Sequence, residues 1–527
     1  MYKLLILLTL SMLMGCSAEE QLSKTDQHQA AAYPEIDASI EWFGGTMEEA
    51  FALAESTDKP LFLYWGAVWC PPCQEIKHTV FKSQTFINLT AAFIPVYLDG
   101  DTDRAQSWGE KFGVKGYPTM IVFNPQGKEV TRIPGGIDVS RYNGVLELSL
   151  NEMRPTSELI EMALDDPDLL KDSDFFQLAF YSWGQDTSAV PEGTNEAELF
   201  YLLSNKAPDE ELSSRFYMAY VNAMVSANEE SIDQTEGVTL PEGDRVFDRL
   251  KSILSSNELT LACWDTLAYT AEEIVSLPVF TQTERDELET LWADQLFSLR
   301  FTESLSKTEK LAGWFPSLYL LTKDEQSLST ELQDQLRQEM QKVDAATPDS
   351  YERMTVINQI SHVYREANLD KDAQLLLLAE LDKSVSPYYF MSGLASLAEK
   401  DEKFEEAVDW RRKAYEHSVG EATRFQWGTS YVLAMIRMSS EEETTINTQA
   451  IELLAAFSDS SELFSGRNFR TLRRLNKNLQ KWQLPQGSVA TAFHEQIKAF
   501  CAVQIEESTE SQNCRSLFVE DTLVQAS

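Results

Sequence analysis

Positive charge is scarce in this sequence: 44 Lys and Arg stand against 84 Asp and Glu in 527 residues, a formal net charge of −40. Nucleic-acid binding draws most of its affinity from cations that neutralise phosphates, so DNA and RNA are excluded as partners. The deficit is uneven. Between Ile40 and Leu150 nine Lys/Arg face thirteen Asp/Glu, a difference of −4, so most of the acidic excess lies further along and reads as a solvated surface. Histidine is scarcer still, with five residues in the chain. No apolar run after the first residues is long enough to cross a bilayer. Glycine-rich phosphate loops, catalytic triads and metal-ligand clusters are missing as well, so no cofactor and no metal is expected. Cysteine is sparse, six in all, but its placement is informative.

Lys3 is followed by an apolar run from Leu4 to Met14, short for a membrane span and right for a signal peptide over residues 1–15. The run ends in Leu13-Met14-Gly15-Cys16, which resembles the lipobox of bacterial lipoproteins. That resemblance implies cleavage before Cys16, lipid on Cys16 and a periplasm-facing anchor in the cell envelope. Ser17 in the next position implies sorting to the outer membrane. The alternative is an ordinary secretory signal that contains a cysteine. Residues 16–35 are polar, without an apolar face, and read as a flexible tether.

From residue 36 to 153 the pattern predicts an α/β domain. Ile40-Glu41-Trp42 is an expected short strand, and Thr46 caps an expected helix through Met47, Ala50, Phe51 and Ala54. Leu61 to Trp65 is an unbroken apolar run, the texture of a strand buried on both faces. A helix is predicted from the cysteines through Ile76 and Val80, a strand over Phe93 to Leu98, and a helix over Asp103 to Phe112. A hairpin is predicted around Asn124-Pro125-Gln126-Gly127, then a last helix from Ser140 to about Met153. This order gives a central mixed sheet flanked by helices. Residues 155–527 show only helical periodicity and read as all-α. Within them, EANLDKDAQ (from Glu366) and EKDEKFEEA (from Glu399) stand 33 residues apart (366 to 399). That spacing resembles tetratricopeptide repeats, although the signature Trp and Pro positions are not evident and degenerate helical hairpins fit equally.

Trp69-Cys70-Pro71-Pro72-Cys73 follows a buried strand and opens a helix. Two intervening residues on a first helical turn let both sulfurs reach bonding distance, so one fold can hold disulfide or dithiol. Cys70, at the helix amino terminus, meets unpaired N–H groups and the positive end of the helix dipole, which favour its thiolate. Cys70 is therefore the expected nucleophile and Cys73 the resolving thiol. Pro71 and Pro72 offer no N–H to the thiolate, which limits the fall in its pKa and leans towards a reductant. A static bridge or a zinc site are the alternatives; zinc would need further ligands, and His78 is the one histidine nearby.

With these residues in place, Lys59 to Gly136 resembles the thioredoxin superfamily, and most closely the branch containing the carboxy-terminal periplasmic domain of the transmembrane disulfide-interchange reductase. The matching stretches are Trp65 to Glu75, Phe112-Gly113-Val114-Lys115-Gly116-Tyr117-Pro118-Thr119, and Gly127. The resemblance implies a cis Pro118 beside the disulfide, with Trp69 and the Tyr117 backbone bordering a substrate groove. Many members carry a buried acid six residues before the first cysteine. Tyr64 stands there, so Glu75 is the candidate proton acceptor for Cys73.

Cys263 lies in an apolar helical pattern and reads as buried and inert. Cys501 and Cys514 enclose a polar loop and read as a structural disulfide, with a second redox pair as the alternative. Two functions follow. One is a membrane-tethered thiol-disulfide oxidoreductase, whose partners are exported proteins with cysteines or disulfides and a membrane or periplasmic redox partner. The other is a helical scaffold in which the α/β domain is a docking module.

Overall fold

Strand β1 (Leu61–Gly66) is buried along its whole length because its alternate side chains meet a different apolar layer on each face. Leu61, Leu63 and Trp65 pack with Met47, Ala50 and Ala54 of α1 (Met47–Thr57). Phe62 and Tyr64 meet an aromatic layer of Trp42, Phe81, Phe86 and Tyr97. The computed structural model describes residues 39–527 except 137, 152–153, 187–188, 231–244, 324–326, 458–459, 484–490, 505–507 and 525–527. The expected signal peptide, the tether and Cys16 lie outside the described residues.

The remaining elements of the α/β layer are α2 (Pro71–His78), α3 (Gln84–Thr90), β2 (Ile94–Asp99), α4 (Asp103–Lys111), β3 (Thr119–Phe123), β4 (Glu129–Ile133) and α5 (Val139–Ser149). The sheet order is β2-β1-β3-β4, with β1 parallel to β2 and antiparallel to β3. Asn124 closes the β3–β4 hairpin, its side chain accepting from the Gln126 and Lys128 amides at 3.1 and 2.9 Å. Gly127 adopts φ 78°, the left-handed conformation that favours glycine.

Two expected elements differ. Ile40-Glu41-Trp42 is not a strand: Phe43 N donates to Pro95 O at 2.7 Å, and Pro95, in β2, has no N–H to return to a ladder. The helix after the cysteines stops at His78, before the β-branched pair Thr79-Val80. Ser83 then caps the separate helix α3, and the break brings Phe81 and Phe86 into a stack at 5.1 Å.

Past Pro155 every regular element among the described residues is helical. The junction is bonded to the sheet: Thr156 Oγ1 and Gln177 Nε2 both donate to Val130 O, at 2.9 and 3.0 Å. Three successive apolar cores follow, around Trp292, around Ile357 and around Val432. Two helical hairpins share a turn geometry. Asn368 (φ 55°) and Glu402 (φ 58°) occupy equivalent left-handed positions 34 residues apart (368 to 402). Each is followed by a closing bond, Leu369 N to Tyr364 O at 2.7 Å and Lys403 N to Ala398 O at 2.9 Å. Residues 39–527 form one compact unit, because the helices fold back onto α2 and α4.

Candidate active site

Cys70 is the N-cap of α2, with extended backbone (φ −80°, ψ 115°), and the Cys73 amide donates to its Sγ at 3.2 Å. Pro71 and Pro72 hold the next two positions, pre-set for a helix start. The Cα atoms of Cys70 and Cys73 are 5.2 Å apart and their sulfurs lie at disulfide distance.

Three groups fix the approach to the cysteines. Trp69 Nε1 donates to Asp101 Oδ2 at 2.7 Å, and Thr423 Oγ1 donates to the other oxygen of Asp101. Tyr117 meets Trp69 edge-on at 5.3 Å, and the Arg467 guanidinium lies over both rings, at 4.9 and 4.8 Å. Gly100 leaves room for this arrangement: a Cβ there would run into the Tyr117 ring. The Tyr117–Pro118 bond is cis. Pro118 O accepts from Gln185 Nε2 at 2.8 Å, while Thr119 Oγ1 donates to Gln185 Oε1 at 3.1 Å. Tyr117's own amide and carbonyl make no hydrogen bond among the described residues.

The helical region covers α2. Thr355 Oγ1 donates to Pro71 O at 2.5 Å, and His78 spans from Gln74 O (2.8 Å) to Asp349 Oδ1 (3.0 Å). On the other side Gly466 N donates to Glu110 Oε2 at 2.6 Å, and Arg470 donates to Val114 O and Lys115 O at 3.0 and 3.2 Å. Cys70 is consequently only 2% exposed and Cys73 0%.

Glu75 is turned towards the Lys307–Ala312 helix. Burial pushes its carboxyl up, against hydrogen bonds from Ser306 and Thr308. On the face of α2 that carries Cys73, one turn on, is Lys77, buried and lowered to about 8 by desolvation. Its charge partner Asp99 is raised to about 6, by burial first and by repulsion from Asp101 second. Tyr64 stacks on Tyr97 at 5.5 Å, its hydroxyl buried with no hydrogen-bond partner among the described residues.

Two cavities flank Pro71 and Pro72. A cleft of about 580 Å³ opens over Trp69 and Cys70, walled by the Ser350–Glu366, Tyr388–Lys400 and Glu421–Met438 helices. One of about 630 Å³ lies against Glu75, Pro118 and the Lys307–Ala312 helix. Among the described residues no cluster of three or more His, Cys, Asp or Glu is arranged to hold a metal ion. Cys501 and Cys514 also lie at disulfide distance, joining the Thr491–Cys501 and Thr509–Val524 helices. Cys263 is free and buried, its thiol pushed up to about 12 by desolvation.

Asp99, Asp101, Lys77, Gln185, Thr355 and Arg467 had no sequence signal. Asp99-Gly100-Asp101 reads as an ordinary strand end, and the other partners come from distant parts of the chain.

Residues 47–149 match the thioredoxin-like domain family. The chain is 28% identical over 99 residues to the thiol:disulfide interchange protein DsbD of Photorhabdus laumondii, covering 18% of this chain and 17% of that protein. It is 30% identical over 94 residues to the protein of the same name from Yersinia pestis (strain Pestoides F), covering 17% and 16%. The chain thus spans about a sixth of the length of the curated relatives it matches. A thioredoxin from Thermus thermophilus solved in solution is 25% identical, covering 21% of this chain and 88% of its own, at a TM-score of 0.20. With the sheet and the cysteine pair, the family match establishes a thioredoxin-like domain followed by a large all-helical region.

Proposed function

We propose that this thioredoxin-like domain makes the chain a thiol-disulfide oxidoreductase of the bacterial cell envelope, tethered through lipid on Cys16, which reduces or isomerises disulfides in exported proteins. The observation that carries the reading is Cys70 at the amino terminus of α2, its sulfur accepting the Cys73 amide. The envelope location is supported by the similarity to thiol:disulfide interchange proteins and by the amino-terminal sequence.

The Cys70 thiolate attacks one sulfur of the client disulfide; that S–S bond breaks, and the departing thiolate takes a proton. Cys73, as thiolate, attacks Cys70 Sγ, breaks the mixed disulfide and releases the second client thiol. Two electrons pass from the cysteine pair to the client, and a dithiol of a membrane or periplasmic partner restores the pair. The reductase direction is supported by Pro71 and Pro72: with no N–H at either position, stabilisation of the thiolate is left to the Cys73 amide and the helix dipole. Glu75 is the acceptor suggested by sequence for the Cys73 proton; Lys77, one turn beyond Cys73 on α2, with its pKa lowered to about 8 by burial, is a second candidate.

A Cys73→Ser chain, able to attack but not to resolve, accumulates Cys70 mixed disulfides with envelope proteins in non-reducing gels. Loss of these adducts in Cys70→Ser/Cys73→Ser supports the reading; no adduct in Cys73→Ser contradicts it. The scaffold alternative is favoured by one observation, the 2% exposure of Cys70 under the helices. It predicts that Cys70→Ser keeps full function in cells.

A further inference from the structure

The cleft above Cys70 has a charge opposite to that of the chain. Lys115, Arg365, Arg411 and Arg467 line it together with His362, and among the described residues no Asp or Glu does, in a chain where carboxylates outnumber cations 84 to 44. The acids that act on Lys115, Arg411 and Arg467 lie outside the lining. Arg411 is held by the hydroxyls of Ser392 and Ser396, and burial first, with like charge from Arg437 and against attraction from Glu399, lowers its pKa. Arg467 rests on the rings of Trp69 and Tyr117. Arg365 has no ion-pair partner among the described residues, and Arg467, which attracts the buried Asp101, has its Nη1 buried without a hydrogen-bond partner among them. Arg467 opens the Gly466–Gln483 helix, whose charged residues are four Arg and two Lys with no acid. A further donor of the lining, Trp427 Nε1, is buried with no hydrogen-bond partner among the described residues.

The sign is local. The cavity on the far side of Pro71 and Pro72 is lined by Glu75, Asp138, Asp265 and Glu309 and, among the described residues, by no Lys, Arg or His. Arginine stays charged at any working pH, and desolvated cations facing a cleft favour a complementary anion. A volume of about 580 Å³ is that of a site for a small molecule or a few residues of chain.

From this we infer that the substrate disulfide is flanked by carboxylates, which the Arg365, Arg411 and Arg467 side of the cleft holds while its sulfur meets Cys70. The inference rests on the proposed oxidoreductase function and names the substrate class of that same site. The shared chemistry, carboxylates beside an S–S bond, can come from a small disulfide or from an acidic segment of a protein.

The test is the second-order rate at which the reduced full-length chain, in detergent, reduces short peptide disulfides that differ only in flanking Glu, Gln or Lys, with glutathione disulfide as the small-molecule arm. The Glu peptide should react about tenfold or more faster than the Lys peptide at low salt, with the ratio collapsing as salt screens the cleft. Arg365→Gln, and separately Arg365→Gln/Arg411→Gln, should bring the ratio towards one; the single variant alters a side chain that makes no ion pair, should the double one fail to fold. Acceleration of glutathione disulfide without a Glu-peptide preference assigns the cleft to a small molecule, and a Glu-peptide preference assigns it to a chain segment. Equal rates for all probes, or a faster Lys peptide, overturn the inference and leave the redox function standing. No reduction of any probe overturns the redox function, and the inference with it.

Discussion

Asp99 ends β2 beneath the cysteine helix with its carboxyl raised to about 6, mainly by burial. An unfolded aspartate ionises near 3.9, so the folded chain holds this proton more tightly. Well below about pH 3.9 the group is neutral in both states and neutral to stability. As pH rises towards 6 the unfolded state ionises first, and above 6 the buried charge costs about 3 kcal/mol. Asp99→Asn should therefore stabilise the chain at pH 7 by up to that amount and by almost nothing at about pH 3, as urea denaturation at the two pH values would show. Asp101 has a different task, joining Trp69 to Thr423. Asp101→Ala leaves the Trp69 indole N–H without its acceptor and should cost about 1–3 kcal/mol, with altered Trp69 fluorescence; an unchanged midpoint and spectrum would refute the latch. The cysteines, Trp69 and Pro118 were legible in sequence because their chemistry is encoded within short motifs. Asp101 and Arg467 were not, because Asp101 meets Thr423, and Arg467 meets Trp69, across hundreds of residues of chain.

At the scale of elements, α2 is positioned by more than its own sheet. Its first carbonyl, Pro71 O, accepts from Thr355 in the Ser350–Glu366 helix, and the Thr355 side chain is largely buried. Thr355→Val removes this bond at nearly constant volume and should destabilise by about 1–3 kcal/mol. By contrast His78→Ala, which breaks a pair whose Asp349 side chain is 52% exposed, should change stability by less than about 0.5 kcal/mol. Strand β1, the hairpin and α4 follow from apolar runs and turn residues, which act locally. The missing strand at Ile40 to Trp42 and the separate α3 were illegible for the opposite reason. The first depends on which residue of β2 faces it, Pro95, and the second on an aromatic layer formed only when the helices close on the sheet.

For the whole molecule, the helical region is as much a part of the site as the thioredoxin-like domain. Helical segments reach α2 through Thr355 and Asp349, and the α4 side through Gly466, Arg470 and Asn513. Heating the full chain should give one cooperative transition in which cysteine accessibility and helical signal change together; two separated transitions would show that these contacts do not couple the halves. The all-α nature of residues 155–527 was legible from periodicity alone. Its closure over Cys70 was not, since periodicity says which face of a helix is apolar but not which helix covers it. The reversible Cys70/Cys73 couple is best tested by titrating the full-length chain against glutathione and dithiothreitol buffers, with thiol labelling as the readout. A reversible two-electron couple near the thioredoxin end of the scale, roughly −270 mV, is the predicted result; a strongly oxidising potential would contradict the reductase direction, and no reversible couple would contradict the redox function itself.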